Sequence, residues 1–379
     1  MVSTDPEAEN GPAVRKDNDM TKTSVQFGVD SFADAMTDLS GRVLSDAETL
    51  RRTVDQGVLA EEVGLDFFSV GEHYRSDMLD SAPPVILAAI AGRTSRILLG
   101  TSVTVLSTQD PVRVFHQYST LDAVSGGRAE LVMGRASTID SFPLFGFDLT
   151  DYENLFEQNL DLWVKLMREH PVTWEGTTRA ALQTQTLYPR VEGGSLPTWV
   201  GVGGSPDSVV RAARHGLPLM IAIIGGRPQR FAGHVELYYR ALAQFGHEQL
   251  PVGQHAIGHI APTDEEAADT FWPAWETTMT RAAGERGSRP PTLESYMHEV
   301  EEGALMIGSP ETVAIKIADC VRTLNLSRFD FKYALAPLAW EHGNRSIDLY
   351  GREVVPRVRE LLGDYVPAER VSTYAEVGS

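Results

Sequence analysis

This chain has few cysteines, few basic residues and no long apolar run, and each of these absences excludes a class of protein. It has one cysteine in 379 residues, which excludes an internal disulfide framework and is typical of a reducing compartment. Its 33 basic residues are outnumbered by 52 acidic ones, and a net charge of −19 argues against nucleic-acid and anionic-membrane partners. No uninterrupted apolar run is long enough to span a bilayer. We therefore expect a cytoplasmic protein that binds neither nucleic acid nor membrane.

The chain is long enough and apolar enough to form a large globular fold. Apolar residues make up 42% of the sequence, which is enough for a large core. A (β/α)8 barrel takes about 250 residues, and more with insertions, so one decorated barrel accounts for this length. We expect a polar, disordered N-terminal arm without a signal core over residues 1–23, the barrel over 24–365, and a C-terminal tail over 366–379.

The most clearly patterned stretch runs from Arg96 to Ser137. Residues 97–106 are apolar and β-branched, which predicts a buried strand, and Asp110 then begins a helix. A second apolar strand is predicted over residues 129–133. A strand, a helix and a strand in this order form a βαβ unit, whose two strands are parallel neighbours.

The same alternation continues through the chain, and eight strands are predicted. They span residues 25–29, 67–70, 97–106, 129–133, 197–202, 217–224, 255–260 and 329–335. This pattern predicts an α/β fold, a single (β/α)8 TIM barrel with insertions after strands four and seven. The second insertion, residues 263–302, is partly helical, interrupted by glycine and proline, and could act as a mobile lid.

The loop after the fourth strand carries Gly134 and Arg135. Chemistry in such barrels takes place at the C-terminal ends of the strands. Gly134 lets a ligand approach the backbone, and the guanidinium of Arg135 suits a phosphate or a carboxylate. An ordinary loop arginine that pairs with a protein carboxylate fits the sequence equally well.

The turn after strand five, Gly203 to Ser208, is a candidate phosphate site. Its residues are small, Ser205 can begin a helix, and the free N–H groups of the first helical turn attract an anion. Residues 308–313 nearly repeat the motif. Because Gly-Ser-Pro followed by an acid is simply a good helix start, the motif alone does not identify a site, and we expect ordinary capping at the later copy.

His73 is the best catalytic candidate, since it follows strand two and can exchange a proton at physiological pH. Its neighbour Glu72 could fix its tautomer if the two side chains meet. The alternative is a histidine that only satisfies hydrogen bonds in a loop.

Other residues carry weaker signals. His255 and His259 lie roughly 13 Å apart on one strand, too far to share a metal ion, and we expect no metal site. Cys320 has helical core spacing and is expected to be an inert thiol. The phenylalanines within residues 142–147 could line an apolar substrate pocket or serve as packing.

Two runs of sequence resemble the luciferase-like flavin monooxygenases, the family of bacterial luciferase. They are GTSVTVLSTQDPVR, from Gly100, and GGRAELVMG, which precedes Arg135. The resemblance covers most of residues 25–362 and weakens over 261–308. In the family, a non-prolyl cis peptide in this strand, matched here by Ser102 and Val103, supports the flavin ring.

The resemblance also implies a set of site residues. The implied cofactor-binding residues are Ser102, Val103, Thr104, Arg135, Ala136, Gly203, Gly204, Ser205 and Ser208. Luciferase carries a glutamate where Gly204 stands, so Gly204 would bind through its backbone only. Glu72 and His73 match the glutamate and the first histidine of the family's Glu-His-His run, and that histidine acts near the flavin in the family. Tyr74 replaces the second histidine, and the implied catalytic residues are His73 and Glu72.

The activity that the resemblance implies is monooxygenation. Reduced FMN would react with O2, the co-substrate, and oxygenate a small organic substrate. A separate flavin reductase would supply the reduced FMN, because no GxGxxG run follows a predicted strand. Relatives commonly form homodimers, so we expect one here. Two alternatives stay open: a deazaflavin-dependent dehydrogenase on the same fold, and a non-catalytic flavin-binding protein.

Overall fold

The computed structural model describes residues 25–136 and 138–367. The arm predicted for residues 1–23 and most of the predicted tail lie outside the described residues. The strands are β1 (Gln26–Ser31), β2 (Met36–Thr37), β3 (Phe67–Val70), β4 (Leu98–Thr101), β5 (Thr104–Val105), β6 (Leu131–Gly134), β7 (Val172–Trp174), β8 (Leu182–Gln185), β9 (Thr198–Val202), β10 (Leu219–Ile223), β11 (Val252–Ile260), β12 (Met306–Gly308), β13 (Arg328–Lys332) and β14 (Leu338–Ala339).

The helices lie between these strands and after the last of them. They are α1 (Asp46–Glu62), α2 (Pro83–Ala91), α3 (Pro111–Ser125), α4 (Ser141–Phe145), α5 (Tyr152–Arg168), α6 (Pro206–His215), α7 (Ala232–Gln244), α8 (Asp264–Arg286), α9 (Leu293–Glu301), α10 (Pro310–Leu324), α11 (Trp340–Leu349) and α12 (Val355–Leu362). Among the described residues, no helix is both long enough and apolar enough to cross a membrane.

A nearly closed barrel of parallel strands is the centre of the fold. The strand order is β4-β3-β1-β13-β11-β10-β9-β6-β5, and β12 extends the sheet beside the end of β11. Strands β4 and β5 are two halves of one predicted strand. The N–H of Leu99 donates to Arg128 O at 2.8 Å, which joins β4 to the chain entering β6. The predicted (β/α)8 barrel is therefore confirmed, with its eight strands in the predicted order.

The two insertions have ordered structure. The segment after the fourth barrel strand, β6, adds α4 and the antiparallel hairpin β7–β8. The segment after the seventh, β11, adds α8, α9 and β12. Gly284, one of the glycines of this segment, lies inside α8. The helix ends at Arg286, and Gly287 follows it in a left-handed conformation. Whether this insertion moves as a lid stays a prediction.

Some boundaries differ from those predicted. Strand β11 begins at Val252, three residues before the predicted start at His255. The earlier start was not predicted because Gly253 contributes no apolar side chain to the sequence pattern. In the structure Met220 of β10 occupies the place of that side chain, with its Cε 2.7 Å from where a Cβ on Gly253 would lie. The last helical segment begins at Trp340.

The barrel wall separates apolar from charged side chains. Successive residues of a strand point to opposite sides of the wall. In β13, Phe329 and Phe331 belong to the apolar layer between strands and helices, whereas Arg328 lies inside the barrel in a buried ion pair with Glu130. The Arg328 guanidinium also lies 3.6 Å from the ring centroid of Phe67. Charged side chains thus extend along the barrel interior.

Candidate active site

The predicted site residues follow strands that are neighbours in the barrel. Glu72 and His73 follow β3, the Ser102–Val103 bond divides β4 from β5, Arg135 follows β6, and the 203–208 turn follows β9. Because these strands are parallel, their C-terminal ends lie on one rim of the barrel. The structure therefore brings all the predicted segments to the same rim.

Arg135 joins the end of β6 to the first turn of α6. Its Nη2 donates to Ser208 Oγ at 3.0 Å. The guanidinium also forms an ion pair with Glu153 and lies 5.0 Å from the ring centroid of Tyr152. The pair with a protein carboxylate, one of the two alternatives for this arginine, is therefore present. The binding of a phosphate by Arg135 stays a prediction. Ala136, the next residue, has a φ of +121°, which is uncommon for a residue with a Cβ.

At the turn from Gly203 to Ser208, the side chain of the N-cap residue does not cap the N-terminus of α6. Ser205 occupies the N-cap position, but its hydroxyl makes no capping hydrogen bond to the described residues. Gly204 has a φ of +99°, and a Cβ there would lie 3.1 Å from the Phe231 ring. A Cβ on Gly203 would meet nothing within 4 Å, so the turn is open on that side. The partial positive charge of α6 and the Arg135 guanidinium therefore meet at an open turn.

The later copy of the motif is closed by protein atoms. The Ser309 N–H donates to Asp264 Oδ1 at 2.6 Å, and Thr312 Oγ1 donates to Asp264 Oδ2 at 3.0 Å. The Ser309 hydroxyl accepts from the Thr312 N–H. The prediction of ordinary capping at this turn is confirmed.

A cis peptide bond joins Ser102 to Val103, the predicted position. The Ser102 hydroxyl donates to Asp330 Oδ2 at 3.1 Å, which ties this bend to a strand across the barrel. Thr104 Oγ1 donates to Thr101 Oγ1 at 3.1 Å. The bend is therefore held on both sides of the cis bond.

His73 is held by a carboxylate that sequence reasoning missed. Its Nδ1 lies 3.0 Å from Asp80 Oδ2, and its backbone N–H donates to Asp80 Oδ1 at 3.0 Å. Burial raises the pKa of Asp80, against the influence of His73. The His73 ring also packs against Phe32, with 4.5 Å between ring centroids. The structure thus presents a buried histidine oriented by an aspartate.

Glu72 does not have the predicted role of orienting His73. Consecutive residues at a strand end point in different directions, and the Glu72 carboxylate accepts from the Val105 N–H at 2.8 Å and from Gln109 Nε2 at 2.7 Å. The Tyr74 hydroxyl also donates to Glu72. Burial, followed by the Glu72 charge, raises the pKa of Tyr74 above its usual range, so Tyr74 is a neutral phenol. Glu72 therefore anchors strand β5, and Asp80 contacts the histidine.

A second polar group lies inside the barrel. His255 Nδ1 is 3.4 Å from Asp30 Oδ1 and 3.9 Å from Asp330 Oδ2. Burial raises the pKa of Asp30 to about 6, and the Asp330 charge adds to this. Burial alone would lower the pKa of His255, but Asp30 and Asp330 raise it to about 10. The signal for this group is the alternation in β13, where Arg328, Asp330 and Lys332 occupy every second position.

The phenylalanines after β6 have different roles. Phe142 is buried and packs against Tyr152, with 5.7 Å between ring centroids. Phe145 is 46% exposed and meets the Tyr74 ring edge-on at 4.8 Å. Phe142 therefore serves packing, and Phe145 lies at the rim near the residues that follow β3.

Two further candidates are core residues. His259 is buried and stacks on Phe271 with 5.5 Å between centroids, and burial lowers its pKa to about 4. Cys320 is buried, and burial raises its pKa to about 12. The expectation of an inert thiol is consistent with both findings.

Solved structures share this fold. The oxygenating constituent of 3,6-diketocamphane monooxygenase from Pseudomonas putida, a type II Baeyer-Villiger monooxygenase in complex with FMN, superposes with a TM-score of 0.69 at 20% identity. The superposition covers 89% of this chain and 99% of that one. An F420-dependent secondary alcohol dehydrogenase, in complex with an F420-acetone adduct, superposes with a TM-score of 0.68 at 17% identity, covering 89% of this chain and 100% of that one.

Sequence comparison gives the family. The N-acetyl-S-alkylcysteine monooxygenase of Bacillus subtilis is 27% identical over 310 residues, which is 75% of this chain and 86% of the relative. The family profile described as luciferase-like monooxygenase matches residues 27–326. The match spans most of the barrel, and the chain belongs to the luciferase-like monooxygenase family.

Proposed function

We propose that this chain is an FMN-dependent monooxygenase that uses reduced flavin and O2 to oxygenate a small organic substrate. The observation that carries the proposal is the contact between Arg135 and Ser208 at the open N-terminus of α6. A guanidinium, a hydroxyl and a helix N-terminus together suit a phosphate monoester, which FMN has at the end of its side chain.

The described residues fit this cofactor. Arg135, Ser205 and Ser208 would hold the phosphate with the backbone of Gly204, whose positive φ favours glycine. The Ser102–Val103 bend, on the same rim, would lie against the ring. When bound, reduced FMN supplies the reaction with O2 that delivers an oxygen atom to the substrate.

His73 and Asp80 would serve the proton transfers of this reaction. Because Asp80 contacts Nδ1, a proton would be exchanged with the substrate through Nε2. We propose His73 as the catalytic residue and Asp80 as the residue that positions it. The neutral phenol of Tyr74 and the ring of Phe145 would form part of the substrate side of the site.

The relatives support an oxygenase. The Bacillus relative is named as a monooxygenase, and the Pseudomonas structure was solved with FMN. The proposal includes a separate reductase as the source of reduced FMN, a homodimer, and a cytoplasmic location.

A second candidate function is hydride transfer with a deazaflavin cofactor. It is favoured by the likeness of the fold to the F420-dependent alcohol dehydrogenase. Non-catalytic flavin binding is a third possibility, in which His73 would be dispensable.

Cofactor titration and isotope labelling test the proposal. The full chain is titrated with FMN and with F420, and reduced FMN is then mixed with ¹⁸O2 and a panel of small organic substrates. We expect tighter binding of FMN and one ¹⁸O atom in a product detected by mass spectrometry. Tighter binding of F420, with substrate oxidised but unlabelled, would favour the dehydrogenase instead.

Two variants test the histidine. His73→Gln is expected to lower turnover by roughly 100-fold, since a positioned acid or base contributes about 10²–10⁴-fold, and to leave FMN affinity unchanged. Asp80→Asn is expected to shift the pH profile of turnover, which a purely structural role would not do. His298→Gln, an exposed histidine on α9, is the control. Full turnover in His73→Gln would remove its catalytic assignment.

A further inference from the structure

Three polar residues from adjacent strands form one layer inside the barrel. Asp30 lies on β1, Asp330 on β13 and His255 on β11, and the register places His255 directly beside Asp330. Asp30 is 0% exposed, Asp330 1% and His255 7%. The layer is therefore almost completely removed from solvent, and its residues are far apart in the sequence.

The polar atoms of this layer are poorly satisfied by the protein. Within residues 25–136 and 138–367, both carboxylate oxygens of Asp30, Oδ1 of Asp330 and Nδ1 of His255 make no hydrogen bond. His255 lies within ion-pair distance of both carboxylates, so one imidazole faces two acids. Buried carboxylate oxygens that make no hydrogen bond are uncommon, because burying such a group without one costs several kcal/mol.

The two basic side chains of β13 are paired with other groups. Lys332 forms an ion pair with Asp34 and donates to Ala334 O at 2.7 Å. Arg328 donates to Glu130. Neither makes a hydrogen bond or an ion pair with Asp30 or Asp330 among the described contacts. Among the described ion pairs, His255 is the partner that the two carboxylates share. A cation bound between the three side chains would add the positive charge that the second carboxylate lacks.

The spacing fits a metal ion. One ligand atom from each residue lies within 4.8 Å of the other two, and His255 Nδ1 and Asp30 Oδ1 are 3.4 Å apart. Two ligand atoms that share a tetrahedral Zn²⁺ at bond lengths of about 2.0–2.2 Å lie about 3.4 Å from each other. Asp330 Oδ2 accepts a hydrogen bond from the Ser102 hydroxyl. Carboxylates that bind a metal ion are commonly hydrogen-bonded to a neighbouring residue in this way.

We propose that Asp30, His255 and Asp330 bind one divalent transition-metal ion of the Zn²⁺, Mn²⁺ or Fe²⁺ class inside the barrel, next to Ser102. One imidazole and two carboxylates are a donor set that these ions share. Sequence reasoning expected no metal site, because it paired His255 only with His259 and could not bring the two aspartates beside it. The ion needs no flavin, so the proposal stands apart from the proposed function.

Metal binding to the tag-free full chain tests the proposal. The protein is stripped with a chelator and desalted, and it is then titrated separately with Zn²⁺, Mn²⁺ and Co²⁺ by calorimetry and by metal analysis after gel filtration. We expect one equivalent of at least one ion per chain, and visible bands from Co²⁺ typical of a low-coordinate nitrogen and oxygen site. The wild-type titration needs no variant and is repeated with FMN present.

Variants assign the site. Asp30→Asn and His255→Asn are expected to weaken binding by tenfold or more. His259→Asn, a buried histidine on the same strand and outside the cluster, is expected to retain wild-type affinity. Circular dichroism verifies that each variant is folded. Wild-type protein that retains none of the three ions would overturn the proposal, and so would equal affinity in wild type, Asp30→Asn and His255→Asn.

Discussion

Two turns of this protein have nearly the same sequence and different surroundings. The turn at Gly204 and the turn at Gly308 each continue with serine, proline and an acid, and each begins a helix. The later turn is bound by the Asp264 carboxylate, which accepts from the Ser309 N–H. The earlier turn has the Arg135 guanidinium beside it instead.

This difference explains how one motif serves two purposes. Where a protein carboxylate binds a helix N-terminus, the free N–H groups and the partial positive charge of that helix are already compensated. Where an arginine lies beside a helix N-terminus, the local positive charge is larger, which favours the binding of an external anion. The residue supplied by the neighbouring segment, rather than the motif, distinguishes a structural cap from a ligand site.

The largest expected effect comes from removing the arginine. Arg135→Ala should weaken FMN binding roughly 10- to 100-fold, since a hydrogen bond to a charged group contributes about 1.5–3 kcal/mol. Riboflavin, which lacks the phosphate, should bind this variant and the wild type equally. Fluorescence titration of both flavins measures the effect.

The matched control for Arg135→Ala lies at the other turn. Arg357 pairs with Glu311 in the first turn of α10, and Arg357→Ala should leave FMN affinity unchanged. Equal losses of FMN and riboflavin in Arg135→Ala would separate this arginine from the phosphate.

The reciprocal change is made at the structural turn. Asp264→Ala should lower the free energy of unfolding by about 1–2 kcal/mol, because it removes a cap from the N-terminus of α10, and should not alter FMN affinity. Urea denaturation measures the loss. A variant as stable as wild type would show that this cap contributes little.

The same cap predicts a pH dependence. The Ser309 N–H lowers the pKa of Asp264 below its ordinary value of 3.8. Because the folded state binds this proton less tightly than the unfolded chain, the stabilisation is present above the ordinary value and is lost as the pH falls through the lowered one. Denaturation curves measured from pH 7 down to pH 2 should therefore stay apart above the ordinary value of 3.8 and converge below it for wild type and Asp264→Ala. Curves that stay parallel would contradict this origin of the stability.

A smaller effect is expected at equivalent positions of the two motifs. Ser208→Ala should weaken FMN binding roughly 3- to 10-fold, since a neutral hydrogen bond contributes about 0.5–1.5 kcal/mol. Thr312→Ala, the matching change at the other turn, should leave it unchanged. Equal effects of the two substitutions would mean that the turns do not differ in the way described.

The smallest effect is expected from the acid that pairs with Arg135. Glu153→Gln should strengthen FMN binding by roughly two- to fivefold, because an exposed ion pair contributes about 0.2–1 kcal/mol and here competes with the phosphate. Glu157→Gln, which removes a partner of Arg211 and Arg214, is the control. Weaker binding by Glu153→Gln would mean that this acid positions the arginine instead of competing for it.

The sequence predicted much of the fold because its signals were local. Alternating strands and helices and the Asp110 start of α3 were visible in short stretches, and the structure agrees. Residues such as Gly253, which shape the barrel without adding apolar character, concealed where strand β11 begins.

The site could be predicted only where one segment carried its own signal. The two helix starts were of this kind, whereas the Ser102–Val103 bend was implied by the resemblance of the surrounding run to the family. Asp80, which orients His73, lies seven residues away on the loop after β3, and no spacing rule selects it over Glu72. The Asp30 and Asp330 pair depends on the closure of the barrel, which brings the first and last strands together.

The most direct test is a crystal structure of the protein with FMN. The account predicts the phosphate within hydrogen-bond distance of the Arg135 guanidinium and the Ser208 hydroxyl, with the ring against Ser102 and Val103. A phosphate bound at the Gly308–Ser309 turn, or a ring on the opposite rim of the barrel, would contradict it.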